Sequence, residues 1–242
     1  MSAANGSLAA DEVHIWNVPL SVPEELKRQL MEILSPDERE RAARYAHRAA
    51  REQFATARAF VRLVLARYLG MHPRRIRFEQ TNTGKPVLPG RPLHFNVSHS
   101  NDLGLIAVTR RGEVGVDVER VRAMPTFLDM AGRYFTPCEA SAIRDLPRTA
   151  SEEAFFHVWT RKEAFLKAIG LGLSHGLERF AVSVPPDNPA RILHVDGDRA
   201  AGQRWHLRGL VPSPGYVAAL AIESADVQVT QQQWKDEHLF SY

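Results

Sequence analysis

Apolar residues recur at helical spacing in two long stretches of the chain, and short apolar runs follow each stretch. The first stretch, residues 23–69, breaks at Ser35-Pro36, a favourable helix start, and stops before Gly70. The second reads "EEAFFHVWTRKEAFLKAIGLG" and also ends at glycine. We predict strands for the runs that follow. They are "RIRFEQ", "LHFNVS", "LGLIAVT" and "VGVDVE" in the first set, and "RFAVSV", "RWHLRGL", "GYVAALAIE" and "ADVQVTQ" in the second.

The order of these elements is the same in both halves of the chain, which indicates an internal duplication. "YFTPCEASAIRDL" corresponds to "ILSPDERERAARY", with Thr136-Pro137 at the place of Ser35-Pro36. A unit of this size is too long for a solenoid repeat, so the pattern predicts an α+β fold made of two similar halves in one chain. The predicted division is a flexible N-terminal tail at 1–12, a first half at 13–121 and a second half at 122–242.

Two carboxylates distinguish one copy from the other. When the predicted hairpin "LGLIAVTRRGEVGVDVE" is laid on "GYVAALAIESADVQVTQ", Asp117 falls opposite Val229 and Glu119 opposite Gln231. Residues two apart on a strand share a face, so the two carboxylates project together and repel unless a cation or a proton intervenes. Oxygen ligands at this spacing suit Mg²⁺ bridged to phosphates. A strand end whose acidic residues face water is the alternative.

A second candidate constellation lies on the helix "WTRKEAFLK". Trp159, Glu163 and Lys167 are four residues apart and therefore share one helical face. An exposed Glu–Lys pair, contributing about 0.2–0.5 kcal/mol, is one interpretation. The tryptophan on the same stripe favours a face turned inward or into a cleft, where a buried glutamate and lysine would need charged partners.

Two further motifs are ambiguous when each is taken alone. In "FNVSHS", His99 lies between Ser98 and Ser100 and could be a hydrogen-bonded structural histidine. The glycines of a serine-hydrolase nucleophile elbow are absent there. "TNTGKP" could be a simple turn, because it lacks the spacing of a Walker A loop.

Composition narrows the class of protein. The chain has 242 residues, 44% of them apolar and 24% charged, as in soluble globular proteins. Cys138 is the only cysteine, which excludes an intrachain disulfide and a cysteine-rich zinc site and fits a reducing cytoplasm. No secretory signal or membrane-spanning stretch is recognisable. The net charge of +3 favours an acidic partner, either nucleic acid, a phosphorylated cofactor or an acidic protein.

Taken together and in this order, "GKP", "FNVSHS", "VGVDVE" and "WTRKEAFLK" resemble the motif set of the Sfp-type (surfactin-synthetase-activator) 4′-phosphopantetheinyl transferases. The likeness runs from about Ser35 to the C-terminal predicted hairpin, and the duplication agrees with the pseudo-twofold, two-half fold of that family. Its members move the phosphopantetheine arm of coenzyme A onto a serine of an apo acyl or peptidyl carrier protein and release adenosine 3′,5′-bisphosphate. The resemblance therefore implies an enzyme that uses coenzyme A as co-substrate and Mg²⁺ as cofactor.

The resemblance also implies a role for individual residues. Asp117, Glu119 and Glu163 would hold Mg²⁺ on the pyrophosphate of coenzyme A. Glu163, directly or through a metal-bound water, would take the proton of the carrier serine, and Lys167 would steady charge on the phosphate oxygens. Relatives often carry basic residues in the helix after "SP", where Arg41 fits and Glu38 departs from the pattern. The residues implied to bind coenzyme A are Arg41, Lys85, Ser98, His99, Asp117 and Lys167.

Two other functions are compatible with the residues themselves. One is another Mg²⁺-dependent phosphate-ester enzyme, such as a phosphodiesterase, with water as the nucleophile. The other is a non-catalytic basic binding module, which would need an arginine-rich face with stacking aromatic residues. The resemblance favours the transferase, with coenzyme A and an acidic carrier protein as partners and without nucleic acid or membrane. We further expect a cytoplasmic monomer.

The segment "RVRAMPTFLDMAGRYF" is a candidate docking surface for the carrier protein. Its arginines would form a rim around apolar anchors, among them Phe127 and Leu128. A loop and helix packed on the core is the alternative.

Overall fold

The computed structural model describes residues 7–172, 176–185, 189–224 and 226–235. The strands are β1 (Glu12–Pro19), β2 (Glu79–Gln80), β3 (Pro86–Val87), β4 (His94–Ser100), β5 (Leu103–Thr109), β6 (Val114–Arg120), β7 (Phe180–Val182), β8 (Ile192–Val195), β9 (His206–Leu210), β10 (Tyr216–Ile222) and β11 (Gln228–Gln233). The helices are α1 (Glu24–Ile33), α2 (Pro36–Ala43), α3 (Arg48–Leu69), α4 (Phe127–Tyr134), α5 (Pro137–Arg144), α6 (Arg148–Ile169) and α7 (Arg199–Gln203).

The helices confirm the predicted duplication. Helices α2 and α5 each have eight residues, start with proline and carry a capping box closed by Glu38 or Glu139. Helices α3 and α6 each have 22 residues and end at Gly70 and Gly170, both in the left-handed conformation that glycine adopts without strain. The predicted mixed α+β fold of two similar halves is therefore confirmed.

The strand pairing differs from the prediction, because the two predicted hairpins do not form. One sheet has the order β11-β1-β5-β4 and the other β6-β10-β9. Strand β6 thus leaves its sequence neighbour β5 and pairs antiparallel with β10, while β11 pairs in parallel with β1. Each half contributes one strand to the sheet of the other. Two apolar strands around a glycine turn resemble a hairpin in sequence, and only the distant partners show that they belong to different sheets.

Strand β1 was not predicted, although it lies inside the larger sheet between β11 and β5. Six consecutive residues, 13–18, are buried, so the strand lacks the alternation that marks a half-exposed strand. The predicted strand "RIRFEQ" is shortened to Glu79–Gln80, preceded by a 3₁₀ turn at Pro73–Arg75. In the described residues no helix combines the length and the apolar character that a membrane crossing requires.

The apolar core has three parts. One packs α1 and α3 against the larger sheet, and a second packs α4, α5 and α6 against the smaller sheet. The third lies between the two sheets and is built from residues of β1, β5, β6, β9 and β10, such as Ile15, Val116 and Leu220. Burial of apolar surface between the sheets holds the halves together.

The N-terminal residues bear on the predicted flexible tail at 1–12. Residues 1–6 of the predicted tail lie outside the described residues, whereas Leu8 is buried in the first core and its carbonyl accepts a hydrogen bond from Arg110 at 2.9 Å. The boundary at residue 121 stays a prediction. On either side of it, β6 and β11 each lie in the sheet of the other half.

A seam of side-chain hydrogen bonds joins β4 to β6, the neighbouring edges of the two sheets. Alternate polar side chains of β4 accept hydrogen bonds from alternate backbone N–H groups of β6. The pairs are Asn96 with Val116 at 3.0 Å, Ser98 with Val118 at 3.4 Å and Ser100 with Arg120 at 3.1 Å. Buried backbone N–H groups need such partners, which accounts for the polar positions of "FNVSHS" inside sheet-like sequence.

Each half also contains a buried ion pair at the corresponding place. Glu38 accepts from Nε of Arg62 at 2.6 Å, and Glu139 lies 2.8 Å from Nζ of Lys162. In both pairs the cation also donates to backbone carbonyls of the segment after the helix. Glu38 is therefore a buried structural carboxylate that also accepts from Arg58.

Candidate active site

The predicted site residues of β6 and α6 line one cavity between the two halves. The cavity has a volume of about 320 Å³ and is lined by Val97, Ser98, His99, Asp117, Glu119, Trp159, Glu163 and Lys167. Asp117 is 4% exposed, so the two carboxylates of β6 are not a strand end that faces water. The Glu163–Lys167 stripe likewise faces the cavity, as the tryptophan on it indicated.

The convergence depends on a close approach of β6 to α6 at Gly115. A Cβ atom at this position would lie 2.0 Å from the carbonyl oxygen of Ala164 and 2.3 Å from the backbone nitrogen of Ala168. Only glycine allows this distance, since the neighbouring atoms belong to the helix backbone and cannot move aside. The contact brings the last turns of α6 directly over the strand that carries Asp117 and Glu119.

Serine hydroxyls orient the carboxylates. Ser98 Oγ donates to Asp117 Oδ1 at 2.8 Å, and Ser100 Oγ donates to Glu119 Oε2 at 2.9 Å. Lys167 Nζ donates to the same Asp117 oxygen at 2.7 Å and to Ser98 Oγ at 2.9 Å. The sequence indicated only the backbone at Ser98 and gave no role to Ser100. The signal for the hydroxyls is the common offset of 19 residues between each serine and its carboxylate.

The carboxylates are electrostatically coupled. Burial, followed by the charge of Asp117, raises the pKa of Glu163 to about 7. Burial also raises the pKa of Glu119, and Asp117 adds to this shift while the hydrogen bond from Ser100 opposes it. Two buried oxygens, Asp117 Oδ2 and Glu163 Oε1, have no hydrogen-bond donor within the described residues. The site therefore holds more negative charge than its own donors neutralise.

The donor set fits a hard divalent cation. Within the described part of the chain, no three His, Cys, Asp or Glu side chains form a group that could hold a metal ion as they stand. The carboxylates Asp117, Glu119 and Glu163 nevertheless line one cavity, and they supply the oxygen donors that Mg²⁺ binds. The two orphaned buried oxygens are the observation that favours a cation, because such groups are costly without a partner.

A second cavity of about 360 Å³ adjoins the first, and the two share Val97 and His99. Arg41 lines this second cavity, and its guanidinium lies 5.2 Å from the ring centroid of Phe54. His99 is exposed as a residue, yet partial desolvation and then the charge of Lys167 lower the pKa of its ring. The structure thus brings Arg41 and His99 to one continuous depression that leads to the carboxylates.

Lys85 is the predicted binding residue that the structure does not bring to the site. It lines neither of these cavities, and its Nζ contacts Glu113, Val114 and Ala168 instead. A lysine after a glycine turn, next to phosphate-binding motifs, resembles a phosphate ligand in sequence. Its partners come from distant parts of the chain, so the turn sequence contains no sign of them.

Burial of Glu163 is expected to make the cation-free protein less stable as the pH rises. Its pKa of about 7 lies above the usual 4.5, so in this interval the folded protein keeps a proton that the unfolded chain has lost. The stability that this proton contributes is present below pH 4.5 and disappears as the pH rises through about 7. In chelator, the Tm of the wild type should therefore fall relative to that of Glu163→Gln between about pH 5 and 8.

Mg²⁺ at about pH 8 should narrow this difference, because the cation offsets the charge of the ionised carboxylate. Parallel Tm curves of the two proteins over the whole pH interval would contradict the assignment of a raised pKa to Glu163.

Known proteins similar to this chain match both of its halves. A sequence model of the 4′-phosphopantetheinyl transferase superfamily matches residues 113–221, and a model of the N-terminal part of 4′-phosphopantetheinyl transferases matches residues 21–111. The 4′-phosphopantetheinyl transferase HetI of a Nostoc species is 37% identical over 222 residues, which are 90% of this chain and 90% of that protein.

Two further relatives agree. The 4′-phosphopantetheinyl transferase Sfp of Bacillus subtilis is 30% identical over 209 residues, 86% of this chain and 89% of that protein. The human L-aminoadipate-semialdehyde dehydrogenase-phosphopantetheinyl transferase is 29% identical over 167 residues, 64% of this chain and 54% of that protein. The matched ranges cover both halves and include β6 and α6, which carry the carboxylates. The chain therefore belongs to the 4′-phosphopantetheinyl transferase superfamily and is an enzyme of its Sfp type.

Proposed function

We propose that the cavity around Asp117, Glu119 and Glu163 transfers the 4′-phosphopantetheine arm of coenzyme A to a serine of an apo carrier protein. Adenosine 3′,5′-bisphosphate is the product that leaves. One observation carries this assignment to the cavity: three carboxylates from β6 and α6 line it, and two of their buried oxygens lack a donor in the described residues. Excess negative charge of this kind suits a cation that binds together with a pyrophosphate.

The three carboxylates are the residues that would hold Mg²⁺. When bound, the ion would neutralise charge on the pyrophosphate, as metal ions do in phosphoryl-group transfer. Asp117 keeps one oxygen for Ser98 and Lys167, so its other oxygen is available for the ion. Asp117 would therefore hold the cation with one oxygen and keep Lys167 in place with the other.

The adjoining cavity would take the rest of coenzyme A. It combines the guanidinium of Arg41 with the aromatic rings of Tyr45 and Phe54, a mixture that suits a phosphorylated nucleoside. His99 lies where the two cavities meet and would contact a phosphate there, together with the backbone at Ser98. The acceptor would approach the first cavity from its open side.

Glu163 would take the proton of the carrier serine, directly or through a water molecule. Burial raises the pKa of Glu163 to about 7 in the cation-free site, and a bound cation would lower this pKa, so that the carboxylate would be ionised at neutral pH and able to accept a proton. The serine oxygen forms a bond to the phosphorus next to the pantetheine arm. The bond from this phosphorus to the bridging oxygen breaks, and its electron pair leaves with adenosine 3′,5′-bisphosphate.

Lys167 would stabilise negative charge on the phosphate oxygens during this step. Lys167 extends from α6 and lines the cavity, and its ammonium donates to Asp117 and Ser98. A group fixed in this way does not have to reorganise when the charge develops, which is the main requirement of electrostatic catalysis.

The decisive test is incubation of the protein with a panel of apo acyl and peptidyl carrier proteins, coenzyme A and Mg²⁺, followed by intact-protein mass measurement. Transfer adds the mass of one phosphopantetheine to the carrier. A phosphodiesterase would instead hydrolyse coenzyme A and leave every carrier unmodified. No mass gain on any carrier, with coenzyme A consumed, would overturn the proposal.

The structure changes the composition of the proposed carrier-docking surface. Phe127 is 3% exposed and packs on Phe155 in the second core, so it is not an exposed anchor as the sequence suggested. Its neighbour Leu128 is 38% exposed on α4, and Arg133 is exposed on the same helix. Arg122 lies 3.6 Å from Glu119, so a change there would also disturb the carboxylates. Substitutions at Leu128 and Arg133 therefore test docking without changing the core or the contacts of the carboxylates.

Arg133→Glu is expected to raise the KM for the carrier protein roughly three- to tenfold at low salt, since a rim charge acts on association with an acidic partner. High salt should shrink this effect. Leu128→Ala should weaken carrier binding at every salt concentration, because its contribution is apolar. The coenzyme A KM of both variants should stay constant. Arg28→Glu on α1, which makes the same change of charge, is the control and should leave the KM for the carrier protein unchanged. Unchanged carrier kinetics in both variants would place the docking surface elsewhere.

A further inference from the structure

Lys85 is a half-buried lysine whose three donors are all used within the protein. Its side chain is 10% exposed, and Nζ donates to Glu113 Oε2 at 2.9 Å, to the carbonyl oxygen of Ala168 at 3.0 Å and to that of Val114 at 3.2 Å. An ammonium group has three N–H donors, so none is left for a phosphate in this arrangement.

The backbone that carries Lys85 is itself fixed by a tight turn. Thr81 donates its N–H to the carbonyl of Lys85 at 3.0 Å and accepts the N–H of Lys85 on its hydroxyl at 3.1 Å. Gly84 supplies the positive φ of 83° that the turn requires. The lysine therefore extends from a rigid base rather than from a flexible loop.

One partner of Lys85 is the C-terminal end of α6. Ala168 is among the last four residues of the helix, whose carbonyls have no intrahelical donor, and Gly170 ends the helix. A positive charge is favourable there because the carbonyls of a helix end carry partial negative charge. Ala168 directly follows Lys167, and Glu163 lies in the preceding turn, so the contact holds the part of α6 that faces the cavity.

The other partners belong to the start of β6. Val114 is the first residue of that strand, and Glu113 immediately precedes it. The second oxygen of Glu113 accepts from Arg91 at 2.6 Å, so this carboxylate is also held from outside the strand. Between these contacts and Asp117 lies Gly115, where β6 touches the backbone of α6. Lys85 thus ties together the two elements that carry the carboxylates.

We propose that Lys85 is a positioning residue rather than a phosphate ligand of coenzyme A. It holds the end of α6 against the start of β6 and so sets the place of Glu163 and Lys167 relative to Asp117. The inference deepens the proposed function and rests on it, because the consequence is read in the transfer reaction. It replaces the expectation, based on resemblance, that Lys85 contacts a phosphate.

The test compares kcat and the coenzyme A KM of Lys85→Met, Glu113→Ala and the double variant. Lys85→Met is expected to lower kcat at least tenfold and to change the coenzyme A KM less than threefold. The kcat of the double variant should equal that of Lys85→Met within twofold, because both changes remove the same contact. Lys27→Met is the matched control: Lys27 is also paired with a carboxylate, Glu52, but on α1, and both constants should stay unchanged.

Two kinetic outcomes would overturn the inference. A tenfold rise in the coenzyme A KM with unchanged kcat would identify Lys85 as a phosphate ligand. Unchanged kcat and KM with a lower Tm would make its role purely structural.

Hydrogen exchange separates this inference from the proposed function. In Lys85→Met, amides in the last turn of α6 and at the start of β6 should exchange at least tenfold faster, whereas those of α3 should not change. This readout does not depend on transfer activity, so it holds even if the wild type modifies no carrier. Unchanged exchange at both elements would refute the positioning role.

Discussion

A Glu163→Gln enzyme is expected to lose about 10²- to 10⁴-fold in its single-turnover transfer rate and to remain folded. The amide keeps the shape of the side chain but removes both the basicity and the negative charge. Glu163 lines the cavity beside Asp117 and Lys167, so the wild-type carboxylate is placed to accept a proton there. Coenzyme A affinity, measured beside the rate, should change much less, because the contacts of the second cavity do not involve this residue.

Glu153→Gln is the matched control for this experiment. Glu153 is on the same helix, its side chain is 61% exposed, and its Oε1 lies 3.8 Å from Nε2 of His157. Transfer by this variant should equal that of the wild type. A Glu163→Gln enzyme that turns over normally would show that the helix stripe only supports the structure.

Lys162→Met is expected to produce the largest loss of stability, although it is the direct neighbour of Glu163. The side chain of Lys162 is 0% exposed, and its Nζ lies 2.8 Å from Glu139. Removing one partner of a buried ion pair leaves an uncompensated charge, which costs about 3–5 kcal/mol. For a protein of this size the Tm should fall by roughly 6–20 °C in a thermal melt.

The double variant Lys162→Met with Glu139→Gln provides the control. Glutamine at 139 removes the unpaired charge and can still close the capping box with Thr136. The double variant should therefore be more stable than Lys162→Met alone. If the two substitutions simply add, with the double variant the least stable, the pair does not act as a unit. Arg62→Met in the first half should cost less, because Arg58 still compensates the charge of its partner Glu38.

The contrast between these neighbours shows how far the motif "WTRKEAFLK" could be interpreted from sequence. Spacing of four residues correctly placed Trp159, Glu163 and Lys167 on one face. The same spacing does not predict the environment of Lys162, whose charge is compensated by Glu139 on a separate helix. A helix pattern states which residues share a face and leaves open what that face meets.

Phe127 and Lys85 illustrate the same limit. Phe127 is in a segment of mixed arginines and apolar residues that suits either a docking surface or a core helix, and its contact with Phe155 decides for the core. Lys85 follows a glycine turn that suits a phosphate ligand, and its contacts with Glu113 and Ala168 occupy its donors instead. Phe155 and Glu113, the contacts that decide these two cases, each lie 28 residues further along the chain.

Local chemistry was sufficient to predict α1, α2, α3, α5 and α6, the duplication and the carboxylates that share one face. Helix starts at Ser/Thr-Pro pairs, helix ends at glycine and the shared face of Asp117 and Glu119 follow from short-range geometry. The exchange of β6 and β11 between the sheets does not, because apolar strands around a glycine turn fit a hairpin as well as a crossover. That exchange is what places β6 beside β4 and under α6, since pairing with β10 removes it from β5. The cavity therefore depends on this long-range pairing. The free-energy difference between the hairpin and the exchanged arrangement depends on distant partners, so no local sequence pattern predicts it.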